Sequence, residues 1–429
     1  MVSRRQALRY FGAGAAGLAS QVIFPKFHFS SAHAQAQSPG HVLLVMFMNG
    51  GWDGCHILQP ASGPSYDACL SARPTLTKPP SGLRLVTNEL GLHPQLEFVQ
   101  RAYLANEAVL FPTAGISQQA SGSHEEATMH VVRGLLNGGR AVRQNGFVAD
   151  MLDKKYQGRA VGEFVAFDMT SGESVLNDAA LVRPIKASSL QGLGFSDWVR
   201  GDREFTQDTI YLVNRDWQGT GAENIVGRTV RSLEDTNVRI RQATANTNLN
   251  PTFPNSGVGS ALQQAFIAVS SFRNEGLEAI TLNVGGFDTH NNQDPTGQTP
   301  MGISSTLANI NAAYNAFEAN LRRAGLYQHV TTLVVSEFGR TARENGSRGT
   351  DHGRGSTYFL LGGSVNGGQV VGTPIQPADF ARGDNSFPVS VPIPAIVSQI
   401  AEKMGVARNL MYSDEVLSAL PALPALFRV

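Results

Sequence analysis

The chain has 429 residues, and its 34 lysines and arginines balance its 34 aspartates and glutamates, so the formal net charge is zero. No basic run stands out against this balance, which argues against nucleic acid as a partner. Beyond the N-terminal segment there is no apolar run of the about 18 residues that a membrane span needs, so we expect no span in the mature protein.

The N-terminal residues 1–37 are predicted to be an export signal rather than part of the fold. Residues 3–9 (S-R-R-Q-A-L-R) have the twin-arginine pattern, a weakly apolar stretch rich in glycine and alanine follows, and residues 32–36 offer A-x-A cleavage sites. This predicts the twin-arginine translocase as a partner and a periplasmic or extracellular location.

The first strand is predicted at 42–48, where seven apolar residues in a row are typical of a central strand. It runs into N-G-G-W-D-G at 49–54, which places Asp53 just past the strand end, where ligands of α/β sheets bind. A simple Asp-Gly turn is the alternative. The only cysteines, Cys55 and Cys69, can pair in an exported protein, but two buried or free thiols also fit.

A helix is predicted to open at L-H-P (92–94) and a strand to follow at 108–111. The next helix begins in S-G-S-H-E-E (121–126), where Ser123 and Glu126 have the spacing of a capping box. Since a helix N-terminus also attracts anions, Ser123 is a candidate functional serine as well as a cap. His124 beside it fits a ligand, an acid or a merely polar residue.

The middle of the chain is predicted to be irregular, with an insertion at about 170–257 that covers the sheet edge. Alternation returns with a strand at 280–284, which ends in G-G-F-D-T-H-N-N-Q. Asp288 and His290 in this segment share a face of an extended chain, so both can reach one point.

A third strand is predicted to end at Val335 and to be followed by Glu337 and Arg340. A glycine-rich turn then carries Asp351, His352 and Arg354. A carboxylate at a strand end followed by Asp-His on a glycine loop suits a metal or phosphate centre, although a salt-bridged loop is the alternative.

Strands alternate with helices along the chain, which predicts an α/β fold with a mostly parallel sheet and helices on both faces. Parallel strands would bring several carboxylates and two imidazoles to one edge. Like charges so close would raise one another's pKa values unless a divalent cation bound there. The histidines favour zinc or manganese, with magnesium or calcium as further options. The predicted metal ligands are Asp53, Asp288, His290, Glu337, Asp351 and His352.

Several motifs together resemble domain-of-unknown-function 1501, an exported bacterial family grouped with the alkaline phosphatase/sulfatase-like superfamily. The motifs are G-G-W-D-G, L-H-P, S-G-S-H-E, G-G-F-D-T-H-N-N-Q, S-E-F-G-R-T, E-N-G and G-T-D-H-G-R-G, and the resemblance spans most of residues 41–410. It implies one alkaline phosphatase-like domain at 38–429, in which the irregular insertion lies, and hydrolysis of phosphate or sulfate esters at a two-metal site.

By this resemblance, Asp53 looks like the first-strand metal aspartate, and Asp288 with His290 looks like the middle Asp/His pair. Glu337 occupies a strand end where the superfamily often has Asp-His, and His352 looks like the late histidine ligand.

Two functions follow as expectations. The first is an exported metal-dependent hydrolase of a small-molecule or polymer-borne ester, with Ser123 as nucleophile, His124 as a further catalytic residue, and Arg340 or Arg354 holding the developing charge. The second is a non-catalytic exported metal-binding or surface-assembly protein with the same fold.

Overall fold

The structure, a computed structural model, describes residues 40–116, 122–135, 145–187, 190, 236, 238–245, 252–295 and 302–428. The chain divides into two compact units, one of segments 34–192 and 243–429, the other of segments 1–33 and 193–242. The second unit has described residues only at 236 and 238–242, so the elements below belong to the first. The predicted export signal and most of the predicted insertion lie outside the described residues.

The strands of the first unit have the following bounds: β1 Val42–Met48, β2 Leu58–Pro60, β3 Arg84–Leu85, β4 Leu90–Leu92, β5 Ala108–Gly115, β6 Ala166–Asp168, β7 Ile185–Lys186, β8 Ala279–Val284, β9 Val330–Val335, β10 Ser356–Leu361, β11 Gln369–Val370 and β12 Val391–Pro392. In the described part of this unit nine strands form one sheet in the order β11-β5-β10-β9-β1-β8-β6-β7, with β12 on β5, and β2, β4 and β3 form a small second sheet.

The large sheet is mostly parallel. β1 lies between β8 and β9 and is parallel to both, and β6 continues the parallel order on β8. β10 is the exception, since it runs antiparallel to both β9 and β5. The predicted mixed α/β fold with a mostly parallel sheet is therefore confirmed.

The helices of the first unit are α1 Gly54–Ile57, α2 Gly63–Ala72, α3 Glu97–Leu104, α4 His124–Val132, α5 Phe147–Tyr156, α6 Gly257–Phe272, α7 Gly302–Arg323, α8 Ile393–Lys403, α9 Arg408–Met411 and α10 Asp414–Ala419. The helix predicted to open at Pro94 begins three positions later, at Glu97, because the backbone turns first through a Leu96 N–H to His93 carbonyl hydrogen bond. Within the described ranges, no helix is both long enough and apolar enough to cross a membrane.

All seven residues of β1 are buried, as their unbroken apolar run predicts. Leu43, Val45 and Phe47 belong to one large core cluster that also includes residues of α5 and α8. Burying each such side chain contributes about 1.5–3 kcal/mol, so the centre of the sheet is a rigid base for the loops at its edge.

Candidate metal centre

One edge of the large sheet collects the polar segments that the sequence singled out. The parallel strands β1, β8 and β9 end at this edge, and β5 ends there too because both β5 and β9 run antiparallel to β10. His124 is the first residue of α4, the helix that follows β5 in the sequence. The loops after β8 and β9 carry the pair Asp288 and His290 and then Glu337, and the loop before β10 carries His352.

Four of these side chains form what we call the rim cluster: His124, Asp288, His290 and His352. The Nε2 atoms of His290, His352 and His124 lie 3.0, 3.4 and 3.5 Å from Asp288 Oδ1, and those of His290 and His352 lie 3.0 Å apart. Four ligands at zinc-type bond lengths of about 2.0–2.1 Å in a tetrahedron are about 3.3–3.4 Å from one another. His124, Asp288 and His352 have the spacing of a group that could hold one ion. His290 Nε2 adjoins two of them, at 3.0 Å from Asp288 Oδ1 and 3.0 Å from His352 Nε2.

Each imidazole of the rim cluster is held by its other nitrogen. Nδ1 of His124 lies 2.8 Å from Glu337 Oε1, that of His290 lies 2.9 Å from Asp351 Oδ1, and that of His352 lies 3.0 Å from the Gly122 carbonyl. Carboxylate and carbonyl oxygens only accept, so each Nδ1 carries the proton and donates it. In the neutral form of each ring the Nε2 atom then has the lone pair and faces the centre, which is the orientation that metal-binding histidines have.

Two observations test whether these residues fit an ion. His124 Nε2 is buried and has no hydrogen-bond partner among the described residues, which is costly for a polar atom. With both rings neutral, the Nε2 lone pairs of His290 and His352 face each other at 3.0 Å, where they repel. A divalent cation removes both problems, and three nitrogens with one oxygen suit zinc or manganese.

The charge of Asp288 is also suited to cation binding. Partial burial would raise the pKa of Asp288, but the hydrogen bond and charge of Arg340, with His352 and His124, lower it to about 2. The His290 hydrogen bond is the main cause that lowers the pKa of Asp351. The side chain of Asp288 is 51% exposed and that of His290 38%, so the centre is open to ligands from solvent.

Close backbone approaches bring the loops together. Gly50 has φ +110°, and a Cβ there would lie 2.4 Å from the Asp288 nitrogen. A Cβ at Gly349 would lie 2.3 Å from the His290 carbonyl carbon. The ring of Phe338 packs 4.9 Å from that of His124 and 4.6 Å from that of His352, which gives the imidazoles an apolar wall.

The structure places the remaining predicted ligands outside the rim cluster. Glu337 and Asp351 lie behind His124 and His290 as their hydrogen-bond acceptors. Asp53 is fully buried, and its Oδ2 accepts from Arg73 Nη1 at 2.6 Å and from Gln293 Nε2 at 2.7 Å. Burial alone would raise the pKa of Asp53, but the charge and hydrogen bond of Arg73 lower it, so Arg73 balances the charge of this carboxylate.

The predicted arginines are also engaged within the protein. Arg340 is fully buried, and its guanidinium donates to Asp288 and to four backbone carbonyls, those of Gly50, Gly51, Phe287 and Thr350. Arg354 forms an ion pair with Asp384. Both guanidiniums contact protein oxygens in the structure, and their role toward a substrate stays a prediction.

Ser123 is exposed and is the N-cap of α4, where its Oγ accepts from the Glu126 N–H at 3.4 Å. Its neighbours on both sides belong to the centre, Gly122 as the acceptor for His352 and His124 as a ligand-type residue. His124 was predicted to be catalytic, and the role of Gly122 was missed. A sequence signal for His124 at this site was its place after β5, a strand that ends at the same edge of the sheet.

A second group, which we call the buried cluster, contains Lys78, His56, His93, Asp294 and Ser304. Asp294 Oδ2 lies 2.5 Å from Lys78 Nζ and 2.9 Å from His56 Nε2, and Asp294 Oδ1 accepts a hydrogen bond of 2.6 Å from the Ser304 hydroxyl. The Gln95 N–H donates to His93 Nδ1 at 3.2 Å, so the proton of the neutral ring is on Nε2, 3.2 Å from Ser304 Oγ. The buried cluster thus contains its own cation and has its protons where a metal would need lone pairs.

The two cysteines meet in the core beside Asp53. Their Sγ atoms are 3.7 Å apart, both are buried, and they are unbonded thiols in the structure. The predicted pairing stays a prediction.

The fold and the rim cluster define a mixed α/β protein with a candidate metal-ligand group at the edge of its sheet. The family model described as "Protein of unknown function (DUF1501)" matches residues 228–415, a segment that includes Asp288, His290, Glu337, Asp351 and His352 but not His124. No curated protein matches the sequence significantly.

Two solved structures are similar to this chain at 10% sequence identity. A protein of the alkaline phosphatase superfamily from Vibrio parahaemolyticus aligns with a TM-score of 0.35, over 92% of this chain and 76% of its own. A phosphonate monoester hydrolase from Silicibacter pomeroyi aligns with a TM-score of 0.35, over 86% of this chain and 73% of its own.

Proposed function

We propose that the protein is an exported metal-dependent hydrolase of phosphate or sulfate esters. The observation that carries the proposal is the convergence of three imidazole Nε2 atoms and Asp288 Oδ1 at ligand spacing, with every Nδ1 tied outward. The twin-arginine pattern at 3–9 supports export, and with it a periplasmic or extracellular location.

The charges around the rim cluster indicate that an anionic substrate could bind there only after a cation had bound. Three carboxylates lie at or directly behind the rim cluster, those of Asp288, Glu337 and Asp351, and Arg340 is the cation that contacts it. Without a metal this sum is negative and would repel a phosphate or sulfate ester. A bound zinc or manganese ion would supply positive charge to the ester oxygens and to the charge that develops on them.

The residues of this chain would then hold and attack the ester. Ser123 presents its hydroxyl at the N-terminus of α4, next to His124, where backbone N–H groups favour an anion. Attack by Ser123 Oγ on the phosphorus or sulfur would form a new ester bond while the bond to the leaving alcohol breaks and that alcohol takes up the serine proton. Water would later cleave the serine ester and release the acid. Because their Nδ1 protons are held by other partners, the Nε2 atoms of His124, His290 and His352 would be available to hold the ion.

The test is hydrolysis of aryl phosphate and aryl sulfate esters by zinc- or manganese-loaded protein. We expect turnover that chelation removes and metal restores, and we expect Ser123→Ala to lose turnover while it keeps the metal. Ser413→Ala is the matched control, because Ser413 is also an N-cap whose Oγ accepts an N–H at 3.4 Å. Equal activity in Ser123→Ala and wild type would contradict the serine's role.

A non-catalytic metal-binding role is the second candidate, and one observation favours it. If His290 joined His124, Asp288 and His352 as a fourth donor, no ligand position would remain for water, as in structural zinc sites. Stoichiometric metal without hydrolysis of either ester class would select this function.

A further inference from the structure

Gln293 is fully buried between the rim cluster and the Asp53–Arg73 ion pair. Its Nε2 donates to Asp53 Oδ2 at 2.7 Å. Its Oε1 accepts from Thr350 Oγ1 at 2.6 Å and from Thr289 Oγ1 at 2.9 Å. Because a carboxylate only accepts, Asp53 fixes which end of the amide faces the two hydroxyls.

The two threonines lie within the segments that carry the ligand-type residues. Thr289 separates Asp288 from His290, and Thr350 comes two residues before His352. The two segments also pair directly, through a hydrogen bond of 3.1 Å from the Thr350 N–H to the Thr289 carbonyl. One side-chain amide therefore joins both segments to each other and to a carboxylate that Arg73 holds at 2.6 Å.

We propose that Gln293 is a positioning residue that sets the distance between the ligand segments 288–290 and 350–352, and hence the affinity of the rim cluster for a divalent ion. The inference rests on the metal centre of the proposed function. It also gives the buried carboxylate of Asp53 a role, since Asp53 orients the Gln293 amide from the end opposite the two threonine hydroxyls.

Thr350 is the sharper position to test. Thr289 Oγ1 has a second acceptor, the Phe287 carbonyl at 3.3 Å, whereas the hydrogen bond described for Thr350 Oγ1 is the one to Gln293. Thr350→Val keeps the shape of the side chain and removes this bond. Thr332→Val is the matched control, since Thr332 is 1% exposed and its hydroxyl also has a buried partner, Tyr314 at 3.0 Å.

The experiment is a titration of metal-free protein with Co²⁺, read as affinity and as the visible absorption bands that report ligand geometry. We expect Thr350→Val and Gln293→Met each to weaken Co²⁺ binding about 10-fold and to shift the absorption bands. A 10-fold loss of affinity is the low end of the range found when an outer hydrogen-bond partner of a metal ligand is removed. Thr332→Val is expected to match wild type in both. In the Gln293→Met background, Thr350→Val should add little, because the bond it removes is already absent.

Wild-type affinity and bands in a folded Thr350→Val protein would overturn the inference and leave the metal centre in place. Full additivity of the two substitutions would also overturn it. A wild-type protein that binds no Co²⁺ would instead overturn the metal centre and the inference with it. Thermal unfolding of each variant shows that the comparison is made on folded protein, and Thr350→Val alone decides the question if Gln293→Met does not fold.

Discussion

The rim cluster and the buried cluster each bring histidines to an aspartate at similar distances, but they differ in what holds the rings and in whether a lysine is present. In the rim cluster every Nδ1 donates to an acceptor outside the cluster, so in the neutral rings the Nε2 atoms have the lone pairs and converge on Asp288. In the buried cluster Nε2 of His56 is 2.9 Å from Asp294, and Lys78 supplies the positive charge. The outer partners of the rings and the internal lysine together distinguish a candidate cation site from a neutralised core network.

The two clusters also differ in how far their side chains are exposed to solvent. The side chains of His56, His93 and Asp294 are 1–2% exposed, whereas that of Asp288 is 51% exposed. An ion can reach the rim cluster from solvent, and the buried cluster stabilises the fold without one. Substitutions in each cluster test this contrast.

The largest effect is expected from loss of a rim imidazole. His352→Ala should weaken zinc binding on the order of 1,000-fold, above the about 10–100-fold that loss of an outer partner costs. His93→Ala removes an imidazole from the buried cluster and should leave zinc affinity at the wild-type level. Isothermal titration calorimetry measures the zinc affinity of both variants. Loss of zinc binding in His93→Ala, with wild-type affinity in His352→Ala, would mean that the buried cluster and not the rim cluster is the zinc site.

Removal of the internal cation should destabilise the buried cluster. Lys78→Met leaves Asp294 buried beside neutral partners and should lower the free energy of unfolding by about 3 kcal/mol. Lys154→Met, which removes a more exposed ion pair with Asp150, should cost less than about 1 kcal/mol. Denaturant unfolding measures both. A second ion bound by Lys78→Met would show that the buried cluster is a metal site that lysine had filled.

Acid should act on the buried cluster through His93. Burial is the main cause that lowers the pKa of His93 to about 4. The unfolded chain therefore binds the proton first, and stability falls as the pH falls from about 6.5 to about 4, by up to about 3 kcal/mol from this group. His93→Gln should flatten that decline in metal-free protein, as followed by unfolding at pH 7 and 4.5. An unchanged slope would show that His93 is not held neutral.

The smallest effect is expected from an outer partner. Asp351→Asn keeps an acceptor for His290 Nδ1 but removes the charge, and should weaken zinc binding about 10-fold. Asp384→Asn is the control, because this aspartate pairs with Arg354 and Arg382. Equal affinities in the two variants would mean that the Asp351 charge does not act on the centre.

The sequence was sufficient to predict the fold class and many of the residues at the sheet edge that carries the rim cluster. Polar segments follow the ends of β8 and β9, and parallel strands end at one edge, so Asp288, His290 and Glu337 could be placed together from the sequence alone. The sequence alone could not show which of these side chains face the centre of the rim cluster, because that depends on hydrogen-bond partners in other segments. Arg73, twenty residues from Asp53, neutralises that aspartate, and the carbonyl of Gly122 orients His352 from 230 residues away.

The central claim is that the rim cluster binds one divalent ion, and metal analysis of purified protein tests it most directly. After incubation with zinc and removal of excess, we predict one zinc per chain in wild type and none in the double variant His290→Ala/His352→Ala. Wild-type protein without zinc, or a double variant that retains it in full, would contradict the account.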